Sequence, residues 1–443
     1  MILAPKYLPR LTATVGLFTR YGLLDFARSQ GLLKIEGVQS DGDGKRPPAQ
    51  PEPDDKAVAF RERLVELGPA YVKLGQVLST RPDLIPPQYI QALQQLQDSV
   101  EPMNFADVER TIEEELHART SKLFDFFDSH ALGSASLGQV HAARLRDGRD
   151  VVVKVQRQNI RELLADDIEF FRELAKFFSE RTEAGERLDM VGVVQQVERA
   201  LVDELDYRTE ARNAALFRRS LAKFPHILIP RVIDAYTTHK VLTTQRVRGV
   251  KISEIPPITR IDHDFSELAE EFAKAYLYQI AGRGHFHADP HPGNIFIVLP
   301  GRENPRTPAE EKAEDRREEE RPAVTPLSRT EVEAQREAPS APDPAEAKLA
   351  MIDFGMTAHL SNRMRDKVVQ LILAMAENQG DEAAEIMISI GEPLEGFDRQ
   401  GYARDVAGVV AQHADQTVTD KPAGLLLYDM ISIGYRCGLR FPA

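Results

Sequence analysis

Tryptophan is absent from these 443 residues, and cysteine occurs once, as Cys437. One thiol excludes an intramolecular disulfide framework and cannot by itself build a thiolate metal centre, which suits a reducing compartment. Nowhere does an apolar run reach about 18 residues, so no segment is expected to cross a bilayer as a helix. Positive charge is scarce too. The 56 Lys and Arg face 69 Asp and Glu, and the net charge of −13 argues against a general nucleic-acid binder, whose phosphate contacts need a surplus of cations. What remains, 42% hydrophobic and 28% charged residues, is the balance of a folded globular chain, long enough for one large two-lobed domain or for several smaller units.

Residues 1–36 read as an N-terminal helix. The first two dozen residues carry Lys6, Arg10 and Arg20 and no acid, and Leu11, Val15 and Phe18 recur at helical spacing. Packing against a core is the expected role, with an interfacial membrane helix or a transit peptide as alternatives. Residues 37–57 have the Gly, Pro, Asp and Gln content of a linker. Residues 58–130 read as helices broken near Pro69 and Pro82, with a further helix over Phe105 to Leu116. From Ala131 the character changes to strand, Asp147-Gly148 turn and strand, ending at Val155. An apolar helix face follows from Ile160 to Phe178, then one helix over Val197 to Phe217, then short β segments at His226 to Ile233 and Lys240 to Val247. Residues 300–347 are Pro-, Glu- and Arg-rich and are expected to be a disordered acidic insertion.

Four segments carry chemistry in a fixed order. Gly133-Ser134-Ala135-Ser136-Leu137-Gly138-Gln139-Val140 has the outline G-x-G-x-x-G-x-V of a kinase phosphate loop, with Ala135 at the middle glycine. Across the hairpin, Val152-Val153-Lys154-Val155 places a lysine where a kinase pairs one with the phosphates. An ammonium in so apolar a strand is costly unless paired, and Glu210 is the best candidate partner. Asp206 and Glu210 lie four apart, hence on one helical face, although either alone would more often be a solvated surface acid. Next, Phe286-His287-Ala288-Asp289-Pro290-His291-Pro292-Gly293-Asn294 keeps the five-residue interval between the Asp that orients an acceptor and the Asn that holds a metal. His287, Asp289 and His291 could alternatively be metal ligands. Last, Ala350-Met351-Ile352-Asp353-Phe354-Gly355 is a strand ending in the Asp-Phe-Gly whose carboxylate ligates Mg²⁺ in kinases.

With Lys73-Leu74-Gly75-Gln76, these segments resemble the UbiB/AarF family of atypical kinases, whose hallmark is K-x-G-Q. The resemblance runs from about Tyr21 to the last residue. It includes the family's E-x-D motif at Glu204-Leu205-Asp206 and its alanine-rich loop, which aligns with Gly133 to His141. It implies an α+β, protein-kinase-like two-lobed fold with an N-terminal helical extension, an N-lobe over 131–250 and a C-lobe over 251–443. It implies ATP and Mg²⁺ as cofactors, with Lys154 and Glu210 on the phosphates, Asn294 and Asp353 on the metal, and Asp289 at the acceptor. Gly133, Ser134, Ala135, Ser136, Gly138, Val140 and the hinge residue Gln245 would line the nucleotide.

The family's K-x-G-Q helix is understood to occlude the place of a peptide substrate, so Lys73, Gln76, Glu204 and Asp206 would act as a regulatory gate. The implied chemistry is ATP hydrolysis or small-molecule phosphorylation in isoprenoid-quinone lipid pathways. Quinone-precursor lipids and a membrane surface are the implied partners, and the implied location is cytoplasmic, peripheral to the inner membrane, or organellar. The absence of an A-P-E segment after Gly355, and Ala288 in place of the usual Arg, agree with a missing peptide platform. A small-molecule phosphotransferase, or a nucleotide-sensing lipid-binding module without turnover, are the alternatives. Gly133 and Ser134 replace the loop's first two alanines, Gln245 replaces an acid in the hinge, and the acidic insertion widens the Asn294–Asp353 interval.

Overall fold

The structure, a computed structural model, describes residues 53–79, 85–94, 102–181, 190–256, 265–299, 347–413 and 423–441, with 10, 13, 14, 16, 17, 20, 21, 81 and 96. The acidic insertion up to residue 346, and Leu11, Val15 and Phe18, lie outside the described residues.

Three helices open the described chain: α1 (Pro53–Leu67), α2 (Pro69–Leu78) and α3 (Pro87–Gln94). Gly68 separates the first two at φ +109°, a backbone that side chains rarely adopt, and Pro69 restarts the helix where a missing N–H costs nothing. The first helix begins inside the segment read as linker. Ala57 and Phe60, both buried, continue the apolar stripe of Leu64 toward the N-terminus, so the core reaches Ala57 inside that segment. Described residues of the N-terminal segment pack nearby: Leu17 is buried, Thr14 Oγ1 lies 2.8 Å from Tyr71 Oη, and Arg10 pairs at 3.1 Å with Asp167, on the later helix Ile160–Arg181.

The helix α4 (Phe105–Leu116) is capped by Asn104, whose side chain accepts from Ala106 N. After the short α5 (Thr120–Leu123) come β1 (Phe124–Ser134), β2 (Gly138–Leu145) and β3 (Asp150–Gln156). With β5 (Val241–Gln245) they form an antiparallel sheet in the order β1-β2-β3-β5, while β4 (Ile227–Leu228) joins a second sheet. The first strand therefore starts at Phe124 and not near 131, because the aromatic run Phe124, Phe126 and Phe127 suits a pleated surface. α4 also belongs with this sheet, since Val108 and Ile112 pack on Phe124, Leu145, Val151 and Val153.

Beyond β3, α6 (Ile160–Arg181) and α7 (Met190–Glu204) pack into one core with α1, α2 and α3, so the helices inserted in the sheet's sequence and the N-terminal extension form a single layer. The single helix expected over 197–217 is broken. Asp206 leaves helical geometry (φ −121°, ψ 94°), and its carboxylate accepts from Arg208 N at 3.0 Å, capping a new helix, α8 (Tyr207–Ser220). Asp206 and Glu210 thus do not share a helical face.

In the second sheet the order is β4-β9-β8-β6, with β6 (Val250–Lys251), β8 (Ile295–Val298) and β9 (Lys348–Met351). Between β6 and β8 lie α9 (Ser266–Leu277) and β7 (His285–His287), and β7 pairs antiparallel with β10 (Thr357–His359). Helices α10 (Asn362–Ala376), α11 (Gly380–Ile390), α12 (Arg399–His413) and α13 (Ala423–Cys437) close the chain around Leu371, Tyr402, Val406 and Met430. Two sheets of this topology, with helices between and after them, make the α+β two-lobed arrangement of a kinase-like fold.

β8 and β9 form an antiparallel pair from Ile295↔Met351 to Val298↔Lys348, and the acidic insertion joins their ends. Loop closure changes by only about 0.6 kcal/mol per twofold change in loop length. Replacing residues 302–345 by a short Gly-Ser linker should therefore leave the calorimetric melting temperature nearly unchanged. A large drop would place a packed element within the segment.

Candidate nucleotide and metal site

Lys154 lies on β3 between Val153 and Val155, both fully buried, so its own side chain leaves the opposite face of the sheet. There its Nζ meets Glu210 Oε2 at 2.9 Å and Asp353 Oδ2 at 3.5 Å, and stands 5.2 Å from the Tyr207 ring centre. Burial opposes the Lys154 charge, but Asp353 and Glu210 outweigh it and hold the ammonium well above its ordinary range. Asp353 is kept below the usual carboxylate range, first by Lys154. Glu210 goes the other way: burial, only partly offset by Lys154 and reinforced by Asp353, pushes it up to about 7.

The Asp353 backbone is left-handed at φ +58°, a strained conformation that short polar side chains tolerate best, and its Oδ1 accepts from Gly355 N at 3.1 Å. Phe354 anchors the turn. Its ring packs 5.2 Å from Phe217 and 5.1 Å from His287, and its carbonyl accepts from Asn213 Nδ2 at 3.0 Å. Across the β8–β9 pair, Ile352 N donates to Asn294 O at 2.9 Å, which brings the Asn294 loop beside Asp353. Asn294 Nδ2 donates to Asp289 Oδ2 at 3.2 Å and to Asp289 O at 3.3 Å. That commitment leaves the Asn294 carbonyl oxygen to offer a cation. A carboxylate and a carboxamide oxygen suit a hard dication such as Mg²⁺, so the residues present fit the metal. His287 and His291 are used otherwise: His287 Nδ1 accepts from Asp289 N at 3.1 Å and His291 Nδ1 from Gly293 N at 3.0 Å. No group of three His, Cys, Asp or Glu suited to a metal occurs among the described residues.

The phosphate-loop segment is the turn from β1 into β2. Ala135 N donates to Gly138 O at 2.8 Å, and Arg157, just past the end of β3, fastens the turn by donating from Nε to Ala135 O and from Nη2 to Ser134 Oγ at 2.9 Å. Ser136 is buried, and Leu137 packs into the core of the helical layer. Only Gly138 is sterically required: a Cβ there would stand 2.4 Å from Tyr207 Oη and 2.5 Å from Val155 O, whereas at Gly133 nothing lies within 4 Å. Val140 pairs with Lys154 in register. Gln245 ends β5 with its side chain exposed, where the chain leaves the first sheet for the second.

From the helical layer, α2 reaches the same place. Lys73, 5% exposed, forms an ion pair with Glu204 and donates to Gln76 Oε1 at 3.1 Å, with Met356 Sδ at 3.5 Å. Asp206 does not join it. Its carboxylate caps α8 and pairs with Arg208 at 2.8 Å. Gly75 faces the tips of Leu64, Leu93 and Leu96, which fixes how closely α2 packs. The sequence reading missed Tyr207, Asn213, Arg157 and Met356. Each was discoverable only as a neighbour of a named motif, since none belongs to a spacing of its own.

The Glu210 position makes a pH prediction. A glutamate raised from 4.5 to about 7 on folding holds its proton in the folded state over that window, so its contribution to stability is fully present below pH 4.5 and is lost as pH rises through about 7. Glu210→Gln, which cannot titrate, should remove that downward slope from denaturant midpoints of the ligand-free protein measured between pH 5 and 7.5. An unchanged slope would contradict the assignment.

A family model described as the ABC1 atypical kinase-like domain matches residues 95–312. An uncharacterized Synechocystis protein is 31% identical over 384 residues, 87% of this chain and 58% of its own length. A probable protein kinase UbiB from Vibrio cholerae is 38% identical over 255 residues, 57% of this chain and 47% of its own length. The chain thus spans about half the length of the curated relatives it matches. Among solved structures, a Mycobacterium tuberculosis protein in complex with erythromycin aligns with a TM-score of 0.47 and 22% identity over 87% of this chain and 92% of that one. The chain carries an ABC1 atypical kinase-like domain and belongs to the UbiB/AarF family of atypical kinases.

Proposed function

We propose that the protein binds Mg-ATP between its two sheets and works as an atypical kinase or ATPase of the UbiB type, in support of isoprenoid-quinone lipid biosynthesis or handling. The observation that carries this reading is the placement of Lys154 Nζ between Glu210 and Asp353, at 2.9 and 3.5 Å, on the strand paired with the one that leaves the Ser134–Gly138 turn. Lys154 contacts the nucleotide phosphates and Glu210 retains its side chain in the site. Asp353 and Asn294 hold Mg²⁺, which supplies neutralisation of phosphate charge. Asp289, fixed by Asn294 at 3.2 Å, orients an acceptor hydroxyl or a water. Gly133, Ser134, Ala135, Ser136, Gly138 and Val140 line the phosphate side, and the Gln245 backbone serves the hinge.

The K-x-G-Q helix favours a non-peptide acceptor. Lys73 bridges Glu204 and the Met356 side chain, directly after the Asp-Phe-Gly turn, so α2 stands over the side from which a bulky acceptor would enter. A lipid acceptor or ligand agrees with that restriction, and with it a location at a membrane surface, bacterial or organellar. No helix among the described residues is long and apolar enough to cross a membrane, so contact with that surface would be peripheral through these residues.

Two experiments test the reading. Mg-ATP should raise the melting temperature of the parent protein, and Asp353→Ala or Asn294→Ala should abolish the Mg²⁺-dependent part of the rise, because apolar residues cannot replace oxygen ligands of a hard dication. Full retention in Asp353→Ala would refute the metal assignment. Separately, Lys73→Ala and Gln76→Ala should change nucleotide affinity or the rate of phosphate release severalfold. Glu204 is partly solvated and can be rehydrated when Lys73 is removed, so the Lys73 variant should remain folded. Parent-like binding and turnover in both variants would reduce α2 to scaffold.

A further inference from the structure

One element beside the site has no role in the reading above: the widened turn that precedes β7. α9 runs on from Leu277 as a π-turn, Tyr278–Arg283, and Gly284 at φ +69° then directs the chain into the strand. Single π-turns are rare and occur frequently at functional sites. Here two side chains, Tyr276 at the end of α9 and Gln279 in the π-turn, converge on His287. Tyr276 Oη donates to the His287 carbonyl, and the His287 amide donates to Gln279 Oε1 at 3.0 Å. The following amide, of Ala288, is held from the opposite side by Met356 O at 3.0 Å.

Gln279 is 1% exposed, and its Nε2 has no hydrogen-bond partner among the described residues. Burying half of a carboxamide unpaired is unfavourable, and a methionine would fill the same space without that cost. The useful half of Gln279 is therefore its acceptor oxygen. His287 passes the constraint on. Its Nε2 donates to Ile352 O at 3.3 Å, which leaves Nδ1 as the acceptor for Asp289 N at 3.1 Å. The turn itself is stitched to the far side of the lobe, because Arg365 Nη1 donates to Gly282 O at 3.2 Å and Leu360 N to Gly284 O at 2.7 Å.

We propose that Gln279 and Tyr276 are positioning residues for Asp289: together they grip both backbone polar groups of His287, whose imidazole in turn fixes the Asp289 amide and the direction of its carboxylate. The inference rests on the kinase or ATPase reading. Tyr276 remains a donor at neutral pH, since burial and then the Asp289 charge push its phenol up to about 12.

The test compares three isosteric changes in the full chain, Gln279→Met, Gln279→Glu and Tyr276→Phe, by Mg-ATP phosphate release and by hydrogen exchange of the peptide spanning residues 285–294. Gln279→Met should lower kcat by about tenfold or more while KM for ATP stays within about twofold, the signature of a group that acts on the chemical step and not on nucleotide binding. Gln279→Glu, which keeps the acceptor oxygen, should recover most of the loss. Tyr276→Phe should show a smaller kcat defect of the same kind. In parallel, exchange at 285–294 should quicken about tenfold in Gln279→Met, while the β2–β3 peptide keeps its protection.

A parent-like kcat in Gln279→Met would overturn the proposal, and so would equal failure of Gln279→Glu. A parent protein that binds Mg-ATP but releases no phosphate would count against the turnover reading instead. The exchange measurement then decides the positioning role by itself, and unchanged protection of 285–294 in Gln279→Met would refute it.

Discussion

Lys154 belongs to a strand whose flanking valines are fully buried, and an ammonium there must be paired or the strand pays its desolvation. The pairing comes from two places far apart in the chain, Glu210 on α8 and Asp353 after β9. One charge balance thereby fixes the first sheet, the helix behind it and the turn leaving the second sheet relative to one another. A single cation does not satisfy the two carboxylates equally, since Glu210 is buried and the Asp353 side chain is 45% exposed. Asp353 stays ionised beside Lys154, and burial lifts Glu210 to about 7. The asymmetry leaves one ionised carboxylate, at Asp353, and one group, Glu210, that can hold Lys154 through an acceptor oxygen in either protonation state.

The helical layer enters the site by the same kind of compensation. Lys73 is as buried as a core residue, yet Glu204, Gln76 and Met356 receive its ammonium, so the end of α7 and the residue following Asp-Phe-Gly are tied to α2. Leu137, at the tip of the phosphate-loop turn, lies in the apolar core that holds α1, α2, α6 and α7. Any displacement of the layer is then felt at both ends of the site. A packed core transmits such shifts because it has few voids to absorb them.

Much of this was legible in the sequence. The β2–turn–β3 hairpin follows from alternating valines around Asp147-Gly148, and the Lys154–Glu210, Asp289–Asn294 and Asp353 placements follow from motif order. Three things were not legible, each for a physical reason. The break at Asp206 depends on a side chain capping a helix, which outweighs an uninterrupted apolar pattern. The start of β1 at Phe124, and the placing of α4 against the sheet, depend on tertiary burial of aromatic residues that composition leaves between helix and strand. The separate fates of Glu204 and Asp206 depend on that same break: two acids in one short motif point to different partners, Lys73 and Arg208, because only one of them is inside a helix.

The phosphate-loop turn shows how far residue identity and residue function diverge. By motif, Gly133 and Gly138 are equivalent small residues. In the structure, Gly138 faces Tyr207 Oη and Val155 O at distances no Cβ could accept, while Gly133 pairs with Val140 just after a register shift in β1 and faces open space. An alanine at Gly133 would fit without any neighbour moving, so the departure from the family's alanine there removes bulk and adds backbone freedom without opening a contact. What restrains the turn is instead Arg157, which bonds Ala135 O and Ser134 Oγ, with Leu137 buried beneath. The Ser134 hydroxyl, absent from an alanine, gives Arg157 an additional acceptor. The two departures at 133 and 134 therefore act in opposite directions, one loosening the strand end and the other fastening the turn that follows it.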